Sequence, residues 1–414
     1  MASTQKLTGI CYIEKVNRWE IMKTIALYDN DAYAKDFVGK VISCDEITKG
    51  DSKLYKVVLN QTLFFPEQGG QSSDKGTLDN KLVIDVQIEE GIIYHYCKGG
   101  FLIGEEVHGV IDWEHRFNNM QQHTGEHLFT GLAHNTYGAE NVGFHLSDNT
   151  VTLDLNIELD DEQIEYIEKK ANEIIARDVA VKAYYPNQEL LGAISYRSKK
   201  EINGPVRLVE IEGIDLCACC APHVKSTGCI GLLKVVSYGK YKGGTRVYIL
   251  CGMRALQDYN RRMNILAKSY QLLNCMEEEL PDKIEGLMED NKQLKYRIND
   301  ISGEVLRHEI EKVSFESPNA IIFMEELDAK TMRDGVNSLM ESHDGLCALF
   351  SGNNTAGFNF IIGSKTIDCT AVAKHLRESL NAKGGGSSQM IQGNINATLP
   401  EIEAQLQLFT QTDI

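Results

Sequence analysis

The chain has 414 residues, more than the roughly 100 to 200 that one core usually organises, so two or three domains are expected. With 43% apolar residues, 24% charged residues and only 7 prolines, its composition excludes a largely disordered chain. Its 42 Lys and Arg against 59 Asp and Glu give a formal charge of −17, which argues against nonspecific nucleic-acid binding over the whole surface but leaves room for a local basic cleft.

No stretch reaches the roughly 18 uninterrupted apolar residues of a membrane span, and the opening MASTQKLTGICYIEK lacks the apolar run of a signal peptide, so a cytoplasmic protein is expected. The 11 cysteines are odd in number and scattered, which suits reduced thiols and metal ligands better than a disulfide framework. From residue 6 to about 112, runs such as GKVISCDEI, KLYKVVLNQTLFF and EEVHGVID alternate in period two between Gly, Asp and Asn breaks, predicting a β-rich, barrel-like unit. The loop FFPEQGGQSSDKGTL, residues 64 to 78, crowds turn formers around paired glycines.

Residues 114 to 134 place Phe117, Met120, Leu128 and Leu132 at helical spacing, with Gly125 as the one poor helix former. A strand (TVTLDLNIEL), an amphipathic helix at about 161 to 178 and mixed strands up to about 250 follow, so the middle third reads as α+β. From Tyr259 to Val305 apolar residues recur in steps of three and four, the seam of a coiled coil. Pro281 inside that seam predicts two helices, with the proline at the start of the second. From about Pro318, strands (NAIIFM, LCALFSG, FNFIIG) and helices (DAKTMRDGVNSLMES, DCTAVAKHLRESL) alternate as in a compact α/β module. Its glycines Gly384, Gly385 and Gly386 read either as a close backbone approach or as a flexible loop.

The chemistry concentrates in two places. His123 and His127 stand four apart on the predicted helix, so both imidazoles leave one face and can share a metal. About ninety residues later, DLCACCAPHVKSTGCIG brings Cys217, Cys219, Cys220, His223 and Cys229 close in sequence. Together they satisfy the nitrogen and sulfur preference of Zn²⁺. Spacing alone permits Cys217, Cys219 or Cys220 as the thiolate, and Cys219 with His223 leaves room for a turn between ligands. HTGEH also fits the H-x-x-E-H pattern of zinc peptidases, with Glu126 as general base, although a Cys-His pair is foreign to those sites.

In order and spacing these blocks resemble the stand-alone alanyl-tRNA editing proteins of the AlaX type in their long form, related to the editing and C-terminal domains of alanyl-tRNA synthetase. HTGEH, CCAPHV and TGCIG match the family's HxxxH, CxxxHV and TG-x-IG, and Thr62 to Gly76 match its T-x-F-Y-x-x-x-GGQ-x-x-D-x-G block, with Phe65 where tyrosine is usual. Cys220, Ala221 and Pro222 replace the usual Gly-Gly-Thr, and no DHH motif occurs, so phosphoesterase chemistry is not implied. The fold expected is α+β, in four parts: a β-rich barrel-like domain (1–112), a zinc-binding editing domain (113–253), a helical coiled-coil linker (254–314) and a DHH-associated α/β oligomerisation domain (315–414).

The resemblance implies hydrolysis of the ester of mischarged tRNA(Ala), chiefly seryl and also glycyl. It implies zinc on His123, His127, Cys219 and His223, a homodimer through the coiled coil and terminal module, Thr62 as reader of the serine hydroxyl, and Gly69, Gly70 and Gln71 lining the same pocket. Glu126 and the terminal adenosine's own hydroxyl are the two sources of a general base. Lys234, Lys240, Lys242 and Arg246, interleaved with Tyr238 and Tyr241, are the expected tRNA contacts. A noncatalytic RNA-binding or assembly protein with structural zinc is the reading from another class.

Overall fold

The computed structural model describes residues 23–49, 52–148, 150–198 and 204–410; the part of the β-rich expectation that falls on residues 6–22 lies outside them. The chain divides into two compact units, the first ending at Ile265 and the second beginning at Leu266.

In the first unit, strands Asp36–Lys49, Ser52–Leu59, Ile92–Cys97, Lys81–Glu89, Gly76–Leu78 and Glu106–Ile111 pair in that order and close on themselves as an antiparallel barrel. Glu106–Ile111 shows why: Val107, Gly109 and Ile111 turn inward while the residues between them are exposed, one face per parity as a pleated strand requires. Inside the barrel Val57, Leu59, Leu63, Phe64, Val86 and Ile93 are buried together.

Helix α1, Trp113–Tyr137, starts where the Asp112 carboxylate caps the His115 N–H and stops at Gly138, whose φ of 69° is left-handed. It buries Met120, Leu128, Phe129 and Ala133, but also Asn119, Gln122, His123, Thr124, Glu126, His127 and Thr130. A buried helix this polar needs a partner for each group. Gln122 finds one by bonding both backbone groups of Cys251, at 2.8 and 2.7 Å. Gly125, the poor helix former, stands where a Cβ would collide with the Cys251 sulfur, and at Gly131 a Cβ would lie 2.8 Å from that of Asp215. These glycines let strands press against the helix.

Those strands belong to a four-stranded sheet, Leu233–Tyr241, Gly244–Cys251, Val151–Leu155 and Asn141–Leu146, and to a three-stranded sheet, Val181–Tyr184, Leu208–Ile211 and Asp215–Ala218. Helix α2, Asp161–Arg177, opens on a capping box between Asp160 and Gln163 and buries Ile164, Ile167, Ala171, Ile174 and Ile175 in the same core. The short α3 spans Gln188–Ala193, and α4 spans Gly252–Leu273.

In the second unit, α5 spans Leu280–Lys312, with Pro281 in its first turn, where its missing N–H costs no helical bond. A mixed sheet follows in the order Ala320–Met324, Cys347–Asn353, Gly357–Gly363, Met390–Ile395, Lys383–Gly386, with only the first pair parallel. Helices α6 (Ala329–Ser342), α7 (Cys369–Leu380) and α8 (Leu399–Thr410) cover it. Alternation along the strands gives two cores: Ala348, Phe350 and Phe360 pack with α7 and α8, whereas Leu349 and Ile361 pack with α6 and Leu306 of α5. The triple glycine is the sheet's edge strand rather than a loop. Among the described residues no helix is long and apolar enough to cross a membrane.

Candidate metal centre

One turn of α1 carries His123 and His127, and the chain leaving strand Asp215–Ala218 carries Cys219 and His223 across from them. One ligand atom from each of the four residues lies within 4.8 Å of the others. The Cys219 sulfur is 3.5 Å from His123 Nε2 and 3.4 Å from His223 Nε2. Tetrahedral zinc with bonds of 2.0 to 2.3 Å separates its donors by about 3.3 to 3.6 Å, so both sulfur–nitrogen distances suit such an ion. Among the thiols, only the Cys219 sulfur is grouped with all three imidazoles, whereas Cys217, on the strand itself, is grouped with Asp215 at His127 alone. Cys220 turns the other way, and a Cβ on Gly69 would lie 3.7 Å from its sulfur.

Each imidazole is braced at its other nitrogen. His123 Nδ1 is 2.7 Å from Gln71 Oε1, His127 Nδ1 is 2.9 Å from Asp215 Oδ2, and His223 Nδ1 is 3.0 Å from Thr124 Oγ1. Asp215 is held in turn by Arg197 Nε at 2.7 Å, and Thr124 Oγ1 also accepts the Val224 N–H at 3.2 Å. Such partners fix the Nδ1–H tautomer and leave Nε2 for a metal.

Charge follows the same logic. Burial pushes the Cys219 thiol up, but His123 and His223 outweigh it and hold the thiol well below its ordinary range, as a thiolate ligand requires. Burial takes His223 down to about 3, so it stays neutral. Burial also lowers His127, but the Asp215 hydrogen bond and neighbouring acids leave it well above its usual value. Asp215, pushed up by burial, ends below the usual carboxylate range through His127 and Arg197.

The other sequence-predicted residues divide. The Glu126 carboxylate stands 3.9 Å from His123 Nε2 and 3.8 Å from His127 Nε2, and is held by Asn141 Nδ2 and by Thr130 Oγ1 at 3.2 Å. Gly69, Gly70 and Gln71 form a tight turn beside the donors. Gly70, at φ +86°, allows no side chain, because a Cβ would meet the Phe144 carbonyl oxygen at 2.5 Å, and Phe144 itself lies 4.7 Å from the His123 ring. Thr62 is fully buried and faces the barrel interior: its hydroxyl is 2.8 Å from His95 Nε2 and accepts the Phe64 N–H at 3.1 Å. The described contacts of Thr62 include none of the four donors.

On the strands Leu233–Tyr241 and Gly244–Cys251, the basic set is largely occupied. Lys234 pairs with Glu168 and Lys240 with Glu158, both at 2.6 Å. Arg246 bonds both oxygens of Asp154 and lies 3.6 Å over the Tyr241 ring, while Lys242 lies 5.1 Å from the centre of the same ring.

Two contributors, Asp215 and Arg116, carry no motif in the sequence. Asp215 sits 88 residues from the histidine it braces. Arg116 and Asp74 form a fully buried ion pair, with Arg116 Nε 2.9 Å from both carboxylate oxygens. Arg116 also bonds the Leu63 carbonyl at 2.5 Å, and Asp74 accepts the Phe65 N–H at 2.6 Å. This pair ties α1 to the loop that bears Gln71. The only available signal for Asp74 was its place in the GGQSSD run.

Comparison with known proteins agrees with this architecture. Residues 12–115 match the family described as tRNA synthetases class II (A), and residues 206–248 match the threonyl and alanyl tRNA synthetase second additional domain. The alanyl-tRNA editing protein AlaX-L of Pyrococcus horikoshii is 26% identical over 91% of this chain and 96% of its own length. The alanyl-tRNA editing protein Aarsd1 of Danio rerio is 26% identical over 91% of this chain and 95% of its own. An alanine–tRNA ligase of Pyrococcus abyssi is 28% identical over 92% of this chain but only 43% of itself. The resemblance carried by the motifs is therefore shown: along nine tenths of its length the chain is similar to stand-alone alanyl-tRNA editing proteins and to part of the synthetase.

Proposed function

We propose that this protein is a trans-editing hydrolase that deacylates mischarged tRNA(Ala), with seryl-tRNA(Ala) as chief substrate and glycyl-tRNA(Ala) as the second. The observation that carries this reading is the convergence of three braced imidazoles and one thiolate beside the Gly69–Gln71 turn. The need for such a site is physical: a pocket shaped for alanine rejects serine, which merely adds a hydroxyl, by only about 100-fold.

The residues take these roles. His123, His127, Cys219 and His223 hold Zn²⁺, which supplies a positive charge for orienting and polarising the aminoacyl end. Glu126, fixed by Asn141 and Thr130 beside His123 and His127, accepts a proton from the attacking nucleophile. Gly69 and Gly70 let the backbone come close to the substrate, and Thr62 reads the serine hydroxyl with the oxygen that also accepts the Phe64 N–H. Lys234, Lys240, Lys242 and Arg246 meet the acceptor stem after exchanging their carboxylate partners for phosphates. The chain works in the cytoplasm as a homodimer joined through 254–314 and the α/β module 315–414, with catalysis in 113–253 and the barrel of 1–112 beside it.

A set of four protein donors is also that of a closed structural zinc site, which favours a noncatalytic RNA-binding protein as the second reading. One assay separates them. Purified protein incubated with seryl- and alanyl-tRNA(Ala) is expected to release serine and spare alanine. His123→Ala is expected to lose both metal and activity, and Thr62→Val to narrow the serine-to-alanine rate ratio about tenfold or more, the loss of one buried hydrogen bond. Absence of serine release from metal-loaded wild type rejects the editing reading; an unchanged ratio in Thr62→Val removes Thr62 from its role.

A further inference from the structure

Gln71 is fully buried, with its amide beside His123. Its Oε1 lies 2.7 Å from His123 Nδ1, and its NH₂ end points the other way. Among the described residues Gln71 Nε2 has no hydrogen-bond partner although it is buried. A buried amide donor without an acceptor is unfavourable and marks a place where an oxygen from outside the chain completes the site. The backbone that carries Gln71 is held on both sides. Its backbone pairs with Gln68 in both directions, at 3.2 and 3.1 Å, and the neighbouring Gly70 carbonyl accepts the Leu146 N–H at 2.7 Å.

We propose that Gln71 acts with both ends of one amide. Oε1 holds His123 in the tautomer that offers Nε2 to the metal, and Nε2 donates to the carbonyl oxygen of the aminoacyl ester as it takes on negative charge. The second half rests on the editing reading above; the first does not. Gln71 is thus a positioning residue toward His123 and a catalytic residue toward the substrate. No bond to Gln71 forms or breaks, and the ester is cleaved to free amino acid and tRNA by water.

Two variants separate the ends. Gln71→Glu keeps an acceptor for His123 Nδ1–H and loses the donor; Gln71→Met keeps the shape and loses both. Zn²⁺ affinity is read by competition with a chromophoric chelator and needs no substrate. Q71E is expected to bind Zn²⁺ at least as tightly as wild type, and Q71M about 10- to 100-fold more weakly, as for loss of a metal ligand's hydrogen-bond partner. With seryl-tRNA(Ala) at saturating Zn²⁺, Q71E is expected to lose about 100- to 1,000-fold in kcat with little change in KM, the effect of removing one oxyanion donor. Wild-type kcat in Q71E overturns the donor half, and wild-type Zn²⁺ affinity in Q71M overturns the positioning half. If metal-loaded wild type releases no serine, the donor half falls together with the editing reading, while the affinities still decide the positioning half.

Discussion

His95 shows how one side chain can couple the barrel to its acid tolerance. It is fully buried, its Nδ1 lies 3.2 Å from the Val57 carbonyl and its Nε2 meets the Thr62 hydroxyl, so the neutral ring has both nitrogens engaged. Burial lowers its pKa to about 4. An unfolded histidine titrates near 6.5, so between pH 6.5 and 4 the unfolded chain takes up a proton that the folded chain refuses. Stability is full above that window and falls as pH drops through it, by about 3 kcal/mol in all. Urea midpoints measured from pH 7 to 4 are expected to fall less steeply in His95→Gln than in wild type; parallel curves would exclude His95 as the group responsible. Little of this was legible in the sequence, where His95 is one histidine in a β-branched and aromatic run.

At the level of elements, the metal centre was half readable. The helix bearing His123 and His127 follows from apolar spacing, and the donor types follow from HTGEH and the cysteine-rich segment. Choosing Cys219 over its neighbours needed the tertiary structure, because only there is its sulfur brought to all three imidazoles while Cys217 stays beside His127 and Asp215. A barrel-like unit was expected from the short alternating strands, but the closing pair was hidden: alternation marks which face of a strand is buried, whereas the pairing of Asp36–Lys49 with Glu106–Ile111 joins segments far apart in the chain. The Arg116–Asp74 pair lies between those two levels. Replacing Arg116 with Met leaves the Asp74 carboxylate buried without its cation, which should destabilise the first unit by about 3 to 5 kcal/mol. Denaturant unfolding checks this, and Arg116→Met with Asp74→Asn together should recover part of the loss; a single variant as stable as wild type would show that the pair does not anchor α1.

For the molecule as a whole, the long α5 is the unfinished part of the structure. Leu306 is its one buried residue, while Ile284, Leu287, Leu294, Ile298, Ile301 and Val305 are between 43% and 56% exposed along the predicted seam. A row of half-exposed aliphatic side chains at heptad spacing is what two such helices bury against each other. Sedimentation is expected to give a dimer for wild type and a monomer for the double variant Leu294→Asp, Ile298→Asp, with secondary structure retained; a monomeric wild type would remove α5 as the joining element. The acidic balance acts at this scale too, because Lys234, Lys240 and Arg246 already have carboxylate partners, so any phosphate must compete with them. The edge strand Lys383–Gly386 has a different consequence. It leaves the sheet of the second unit with one border built almost wholly of glycine and exposed along its length. An open border is normally a template for amyloid-like recruitment, but a glycine ribbon has no side chains to grip an incoming strand and loses the most entropy when immobilised. The border is thus shielded by its own reluctance to be extended, and no covering segment is required.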